Sequence, residues 1–204
     1  MSPRSPEQFE QIRSVSKAKI ADTAMKLFAN NGYADTTIDA IAKQANVAKG
    51  LIYNYFENKE ALLLYTFMSA FEHIESAFAS LLPVSDPVAA IEAFINGMFD
   101  YLQEHTDFWR LQLGIMMQPS VPKGLQETIM KKLREYVQMF TDIFTLAGVE
   151  NASGEAWLFA ASIDGVMLYY LFNENECPLE QIRTAILKKY QTLLRAAKKR
   201  RNTP

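Results

Sequence analysis

Along this chain apolar residues recur at three- and four-residue intervals, and this pattern predicts helices almost throughout. Ile20, Ala24, Leu27 and Phe28 fall on one helical face. That segment starts near residue 8 and stops at Asn30-Asn31-Gly32, where Gly32 suits the left-handed position beyond a helix end. Asp35-Thr36-Thr37 offers N-cap chemistry for a short helix over about 38–45. Asn46 ends it, and a third short helix spans about 49–56. A long helix over about 58–82 follows, with Asn58 as its cap. Pro83 and Pro87 bracket the next junction, and Asp86 is placed to cap a helix running through Ile91, Phe94, Ile95, Met98, Phe99 and Leu102. Thr106-Asp107 opens another helix, ended near Gln118-Pro119, and 120–124 reads as a loop. Residues 125–147 place Leu125, Ile129, Leu133, Tyr136, Val137, Phe140, Phe144 and Ala147 at helical spacing. The break at Gly148 and 151–154 leads to 155–173, which is apolar nearly all round. After 174–178 a last helix covers 179–199. The expectation is an all-α fold of about nine helices, with a loose arm over residues 1–7.

Composition agrees and removes several functions. The chain has 204 residues with 49% apolar and 22% charged, a globular balance. Glycine and proline number only eight each, too few for a fold of many tight turns. A single cysteine, Cys177, allows no internal disulfide, and with two histidines, His73 and His105, there is little for a zinc cage. No cofactor or metal is expected. Neither a membrane span nor the apolar stretch of a secretory signal is read in the chain, so the expected address is the cytoplasm, with no membrane partner.

Net charge is −2, but it is partitioned. Residues 1–60 carry a net +1, 61–180 a net −11, and 181–204 a net +8. The acidic middle repels nucleic acid, so any DNA contact belongs to an end of the chain. The basic tail, Arg183 through Lys198 to Arg201, reads more simply as a solvated helix end whose cations face the negative C-terminal dipole.

The stretch 37–56 is the informative one. Two short helices are joined by a tight turn, and Ile38, Ile41, Ala42, Val47, Ile52 and Phe56 can close a small core between them. An ordinary αα-hairpin would do the same. The outward face of the second helix points further: Lys49, Gly50, Tyr53, Asn54 and Tyr55 are polar, small or aromatic. A helix with no close neighbour to accommodate has no need of Gly50, whereas a helix pressed into a DNA major groove does. Lys49 and Asn54 can reach base edges or phosphates, and Tyr53 a thymine methyl or a phosphate.

From Ile20 to Leu62 these residues resemble the DNA-binding domain of the tetracycline-repressor (TetR) family of transcription regulators. The matching positions include Ala24, Leu27-Phe28, Gly32-Tyr33, Thr36-Thr37-Ile38, Ile41-Ala42, Ala45, Val47-Ala48-Lys49-Gly50, Ile52-Tyr53, Tyr55-Phe56 and Lys59-Glu60. The resemblance implies a DNA-binding domain over 1–58, with its helix-turn-helix at 37–56, and an effector-binding and dimerisation domain over 59–204. It implies phosphate contacts from Thr36 or Thr37, Tyr55 and Lys59, and a groove-facing set of Lys49, Gly50, Leu51, Tyr53 and Asn54. Ala48 stands where the family usually has Ser or Thr, so a helix cap and a phosphate hydroxyl are absent there.

A short recognition helix reads few bases, and a two-fold dimer on a palindromic operator supplies the rest. The helices 155–173 and 179–199 are the expected homodimer surface, through Trp157, Ala161, Asp164, Leu168, Ile182, Ile186 and Tyr190. Large side chains of the middle region fit an apolar small-molecule pocket: Phe67, Phe71, Met98, Tyr101, Trp109, Met117, Phe140 and Phe144. Arg110, Gln112, Gln118 and Asp164 are the polar candidates, and the acidic balance favours a cationic lipophile. The expected function is a regulator, a repressor by family habit, that leaves DNA when it binds an apolar or amphipathic effector. The alternative is a DNA-binding structural protein of the same fold with no ligand. Catalysis is not expected, because no nucleophile has a base in reach.

Overall fold

The computed structural model describes residues 6–79, 86–117 and 122–201. Among them every regular element is an α-helix: α1 (Pro6–Asn31), α2 (Ile38–Ala45), α3 (Lys49–Tyr55), α4 (Lys59–Ala79), α5 (Pro87–Glu104), α6 (Thr106–Met117), α7 (Lys123–Ala147), α8 (Ala152–Phe172) and α9 (Leu179–Arg201). None of the described helices is long and apolar enough to cross a membrane.

Local chemistry sets the boundaries. Gly32 takes φ +80° and donates its N–H to the Phe28 carbonyl at 3.0 Å, ending α1. Thr37 caps α2, its hydroxyl oxygen accepting from the Ala40 N–H at 3.1 Å. Asn46 ends α2 with φ 52°, the left-handed region that Asn tolerates better than most side chains. Asn58 accepts from the Ala61 N–H at 2.8 Å, and Asp86 from the Val88 N–H at 3.2 Å. Ala48 precedes α3 without any side-chain cap. Three boundaries shift from the sequence reading. Helix α8 begins at Ala152 because Asn151 is its cap, accepting from the Gly154 N–H. Helix α7 takes in Lys123 and Gly124 as its first turn, and α1 begins at Pro6, a position where proline's missing N–H costs nothing. The rest of the expected arm, Pro83, and 118–121 lie outside the described residues.

One continuous core follows from these elements, and two parts of it bear on function. In the first, α1, α2, α3 and the start of α4 enclose Ile20, Ala24, Phe28, Ile41, Ala45, Ile52, Phe56 and Leu62. In the second, α7 lies along α8 and α5 along α9. Phe94, Phe140, Phe144, Phe159 and Tyr190 form a continuous aromatic core there, with Phe144 and Tyr190 stacked at 5.8 Å. Each such side chain contributes about 1.5–3 kcal/mol by leaving water. The regions join along α1, which packs against both α4 and α6.

Cations of the basic tail meet acceptors elsewhere in the chain. Arg201 donates to the Leu146 carbonyl at 2.7 Å, at the negative end of α7. Arg200 pairs with Glu150 at 3.4 Å, and Lys198 lies 3.9 Å from Asp86.

Candidate nucleic-acid interface and interior cavity

Helix α3 is seven residues long and buries one side chain, Ile52. That anchor fixes which face looks outward. A Cβ added at Gly50 would meet nothing within 4 Å, so the glycine is not there to relieve internal crowding. Lys49, Gly50, Tyr53 and Asn54 are exposed, while Leu51 and Tyr55 are half-buried at the flanks. Ala48, the uncapped position, is exposed beside them.

The charges around α3 are organised. Lys49 Nζ pairs with Asp39 of α2 at 2.9 Å, and this hydrogen bond holds the ammonium pKa above its ordinary value. The Arg13 guanidinium lies 5.6 Å from the Tyr55 ring centroid, bringing a cation from α1 to the edge of α3. Neither Arg13 nor Asp39 stood out in the sequence. Arg13 precedes the recognisable motif by seven positions, and Asp39 reads as an ordinary first-turn acid of α2.

Two expected phosphate contacts face inward. Thr36 is buried, and its hydroxyl lies 2.8 Å from the Gly32 carbonyl and 3.1 Å from that of Leu27, so it braces the α1–α2 turn. Thr37, next to it, is exposed. Lys59 Nζ donates to the carbonyls of Tyr33 at 2.8 Å, Thr36 at 3.0 Å and Ala34 at 3.2 Å, and sits 4.3 Å from the Tyr33 ring centroid. An ammonium has three N–H donors, so all are committed. Desolvation there lowers the Lys59 pKa. Lys59 therefore ties α4 to the α1–α2 turn.

The second region contains an apolar cavity of about 90 Å³. Its wall includes four of the expected residues: Phe71 from α4, Met98 from α5, Trp109 from α6 and Phe140 from α7. Phe94, Ile129, Leu133, Tyr136, Ile163 and Met167 complete most of the remainder. Trp109 Nε1, Gln112 Oε1 and Tyr136 OH are buried on this wall without hydrogen-bond partners. Desolvation, then Glu75 and Glu135, push the Tyr136 phenol well up. Asp164 reaches the cavity edge from α8. It keeps access to solvent, yet the apolar surroundings raise its pKa.

Other expected lining residues lie elsewhere. Phe67 and Phe144 are closed inside the core, with no exposure. Tyr101 faces the groove between α1 and the α5–α6 joint, its ring tilted against His105 with centroids 4.0 Å apart. Arg110 pairs with Glu174 at 2.8 Å. The side chain of Met117 and all of Gln118 lie outside the described residues. Tyr136, Ile129 and Leu133 read in the sequence only as a helical stripe, and the stripe does not say that α7 faces a hollow.

The outer face of α8 is apolar and open. Trp157, Leu158, Tyr169 and Phe172 are 49%, 47%, 73% and 86% exposed. Trp157, Ala161, Gly165, Leu168 and Phe172 follow one another at helical spacing on this side. Asp164 lies at the border between this strip and the cavity-facing strip of Ala160, Ile163 and Met167. Tyr190 instead belongs to the core, at zero exposure, and burial with Glu155 nearby pushes its pKa up to about 12. Ile182 and Ile186 are half-buried against that core.

Residues 20–66 match the family of bacterial regulatory proteins described as the tetR family. An uncharacterised HTH-type transcriptional regulator of Bacillus subtilis, YuxN, is 30% identical over 156 residues, covering 74% of this chain and 52% of that protein. The chain thus spans about half the length of that relative. A transcriptional regulator from Rhodococcus shares the fold with a TM-score of 0.78 at 17% identity, covering 89% of this chain and 97% of that one. A transcriptional regulator from Saccharomonospora viridis, solved in complex with choline, shares it with a TM-score of 0.67 at 19% identity, covering 85% and 94%. The motif, the helices among the described residues and these likenesses agree on regulators rather than enzymes, and residues 20–66 carry the DNA-binding domain of the tetR family of bacterial regulatory proteins.

Proposed function

We propose that this chain is a DNA-binding repressor that grips a palindromic operator as a homodimer in the cytoplasm and is released by a small-molecule effector. Residues 1–58 form the DNA-binding unit and 59–204 the effector and dimer unit. The observation that carries this reading is the α3 face. A seven-residue helix buries Ile52, rests Tyr55 against the core and turns Lys49, Gly50, Tyr53 and Asn54 to solvent. Gly50 lets the α3 backbone approach the duplex. Lys49 and Asn54 reach base edges or phosphates, Tyr53 contributes a flat contact, and Leu51 meets a thymine methyl. Thr37 and Tyr55 hold the phosphates on either side.

The exposed apolar strip on α8 supports dimerisation. Large aromatic side chains in water are costly, and the small residues Ala161 and Gly165 permit close approach of a second α8. Trp157, Leu168 and Asp164 contribute from that helix. A ligand response is favoured over a purely structural role by the three unpartnered polar atoms around the cavity, since buried polar groups are ordinarily satisfied.

The route from cavity to DNA runs through α6. This helix carries Trp109 and Gln112 into the cavity and packs along α1, which in turn supports α2 and, through α2, α3. An effector that binds one spacing of the two DNA-binding units better than the other shifts the population away from DNA.

Selection of bound duplexes from random DNA tests the reading. The expected product is an inverted repeat with half-sites roughly 34–36 Å apart. Asn54→Ala should change the preferred sequence. No enrichment, or a preference that is not two-fold symmetric, would overturn it.

A further inference from the structure

The cavity's chemistry narrows its occupant. Trp109 and Gln112 lie three residues apart on α6 and so share a face. The unpartnered indole N–H only donates, and the unpartnered amide oxygen only accepts. A hydroxyl on a ligand answers both, accepting from Trp109 and donating to Gln112. Tyr136 OH offers a further partner from α7.

The rest of the wall selects by charge. Phe71, Phe94, Trp109, Tyr136 and Phe140 present aromatic rings, and Asp164 supplies a carboxylate at the edge. No Lys, Arg or His lines the cavity among the described residues. The nearby cations are already matched: Arg110 with Glu174, and Lys132 with Glu75 at 2.5 Å and Glu135 at 3.5 Å. An anionic ligand would lose its water and meet carboxylates without a counter-cation. A cation would gain from the ring faces and from Asp164. The volume limits size as well: about 90 Å³ is well below the roughly 300 Å³ at which drug-sized pockets begin.

We infer, on the reading of this cavity as the effector site, that its occupant is a compact organic ammonium ion bearing a hydroxyl group, held by the aromatic rings and Asp164 at its charged end and by Trp109 and Gln112 at its hydroxyl.

Calorimetric titration of the full chain with four compounds tests this. Choline carries both features. Dimethylbutanol, its carbon isostere, keeps the hydroxyl and loses the charge. Propyltrimethylammonium keeps the charge and loses the hydroxyl. Dimethylbutanoate reverses the charge. Choline should bind at least about tenfold tighter than dimethylbutanol. Asp164→Asn should narrow that ratio. Gln112→Leu should instead narrow the ratio between choline and propyltrimethylammonium. The comparison in the unsubstituted protein needs no variant to fold. Equal or tighter binding of dimethylbutanol or dimethylbutanoate overturns the inference, as does no binding of any of the four at millimolar concentration. Fluorescence anisotropy of labelled operator DNA, read in parallel, tests the effector reading separately. Choline binding that leaves DNA affinity unchanged sinks that reading and spares the ligand class. Release by an anionic or uncharged compound does the reverse.

Discussion

Helices α3 and α8 use opposite devices to present chemistry. Helix α3 has seven residues and one buried side chain, and of its outward groups Lys49 is tied to α2 through Asp39 while Gly50 meets no neighbour. Helix α8 has 21 residues and two working faces, one on the cavity and one apolar strip open to solvent. On our proposal the first is a reading head, with Gly50, Tyr53 and Asn54 left to solvent. The second is a wall whose every side packs against something or is suited to do so. The difference teaches that exposure means different things in the two places: at α3 a bare glycine and polar side chains fit a polar duplex, and at α8 bare aromatic rings fit another apolar surface.

The strongest way to break this comparison is to remove the α3 anchor. Ile52→Ala should cost about 2–5 kcal/mol in urea unfolding and abolish DNA binding. Trp109 fluorescence and the α8 strip should be unaffected below the transition. A coincident loss of the cavity region would show that the two regions are not separable. Next in size is Lys59→Met, which strips three carbonyls of their donor. About 1.5–3 kcal/mol of stability should go, while the salt dependence of DNA binding keeps its slope. A slope reduced by about one unit would restore Lys59 to the phosphate contacts.

Gly50→Ala should separate stability from function most cleanly. No neighbour lies within 4 Å of the added methyl, so stability should hold or rise by up to about 1 kcal/mol, while operator affinity falls. Unchanged affinity would remove Gly50 from the contact face. The smallest effect is one of pH. Apolar surroundings raise Asp164 above its ordinary 3.8. The native state then keeps that proton where the unfolded chain has lost it. Its contribution to stability therefore falls as pH rises through the interval just above 3.8. Asp164→Asn should flatten urea midpoints over the interval just above 3.8 relative to the parent. Parallel profiles would contradict this.

The sequence disclosed the head far better than the body. Thr37, Asn46 and Gly32 announce helix ends through chemistry local to a few residues, and each does in the structure what its type suggests. Lys59 and Thr36 misled because a motif marks positions, not directions. Thr36 and Thr37 are neighbours of one type, and only the fold shows that the first turns in and the second out. The cavity was partly legible: Phe71, Met98, Trp109 and Phe140 line it. Phe67 and Phe144 share their composition and period yet fill the core, because helical spacing tells a buried face from an exposed one but not a filled interior from a hollow one. Tyr190 reads as interface in the sequence for the same reason, since an apolar residue on a terminal helix serves core and partner equally well until its neighbours are known.

The central claim is that two α3 helices enter successive major grooves on one side of a duplex. Hydroxyl-radical footprinting of a selected operator, with sedimentation of the complex, tests it most directly. The account predicts two protected patches about one helical turn apart, an even number of chains per operator, and loss of both patches in Trp157→Glu/Phe172→Glu protein at concentrations where that variant is monomeric. A single patch bound by a single chain, undisturbed by those substitutions, would contradict it.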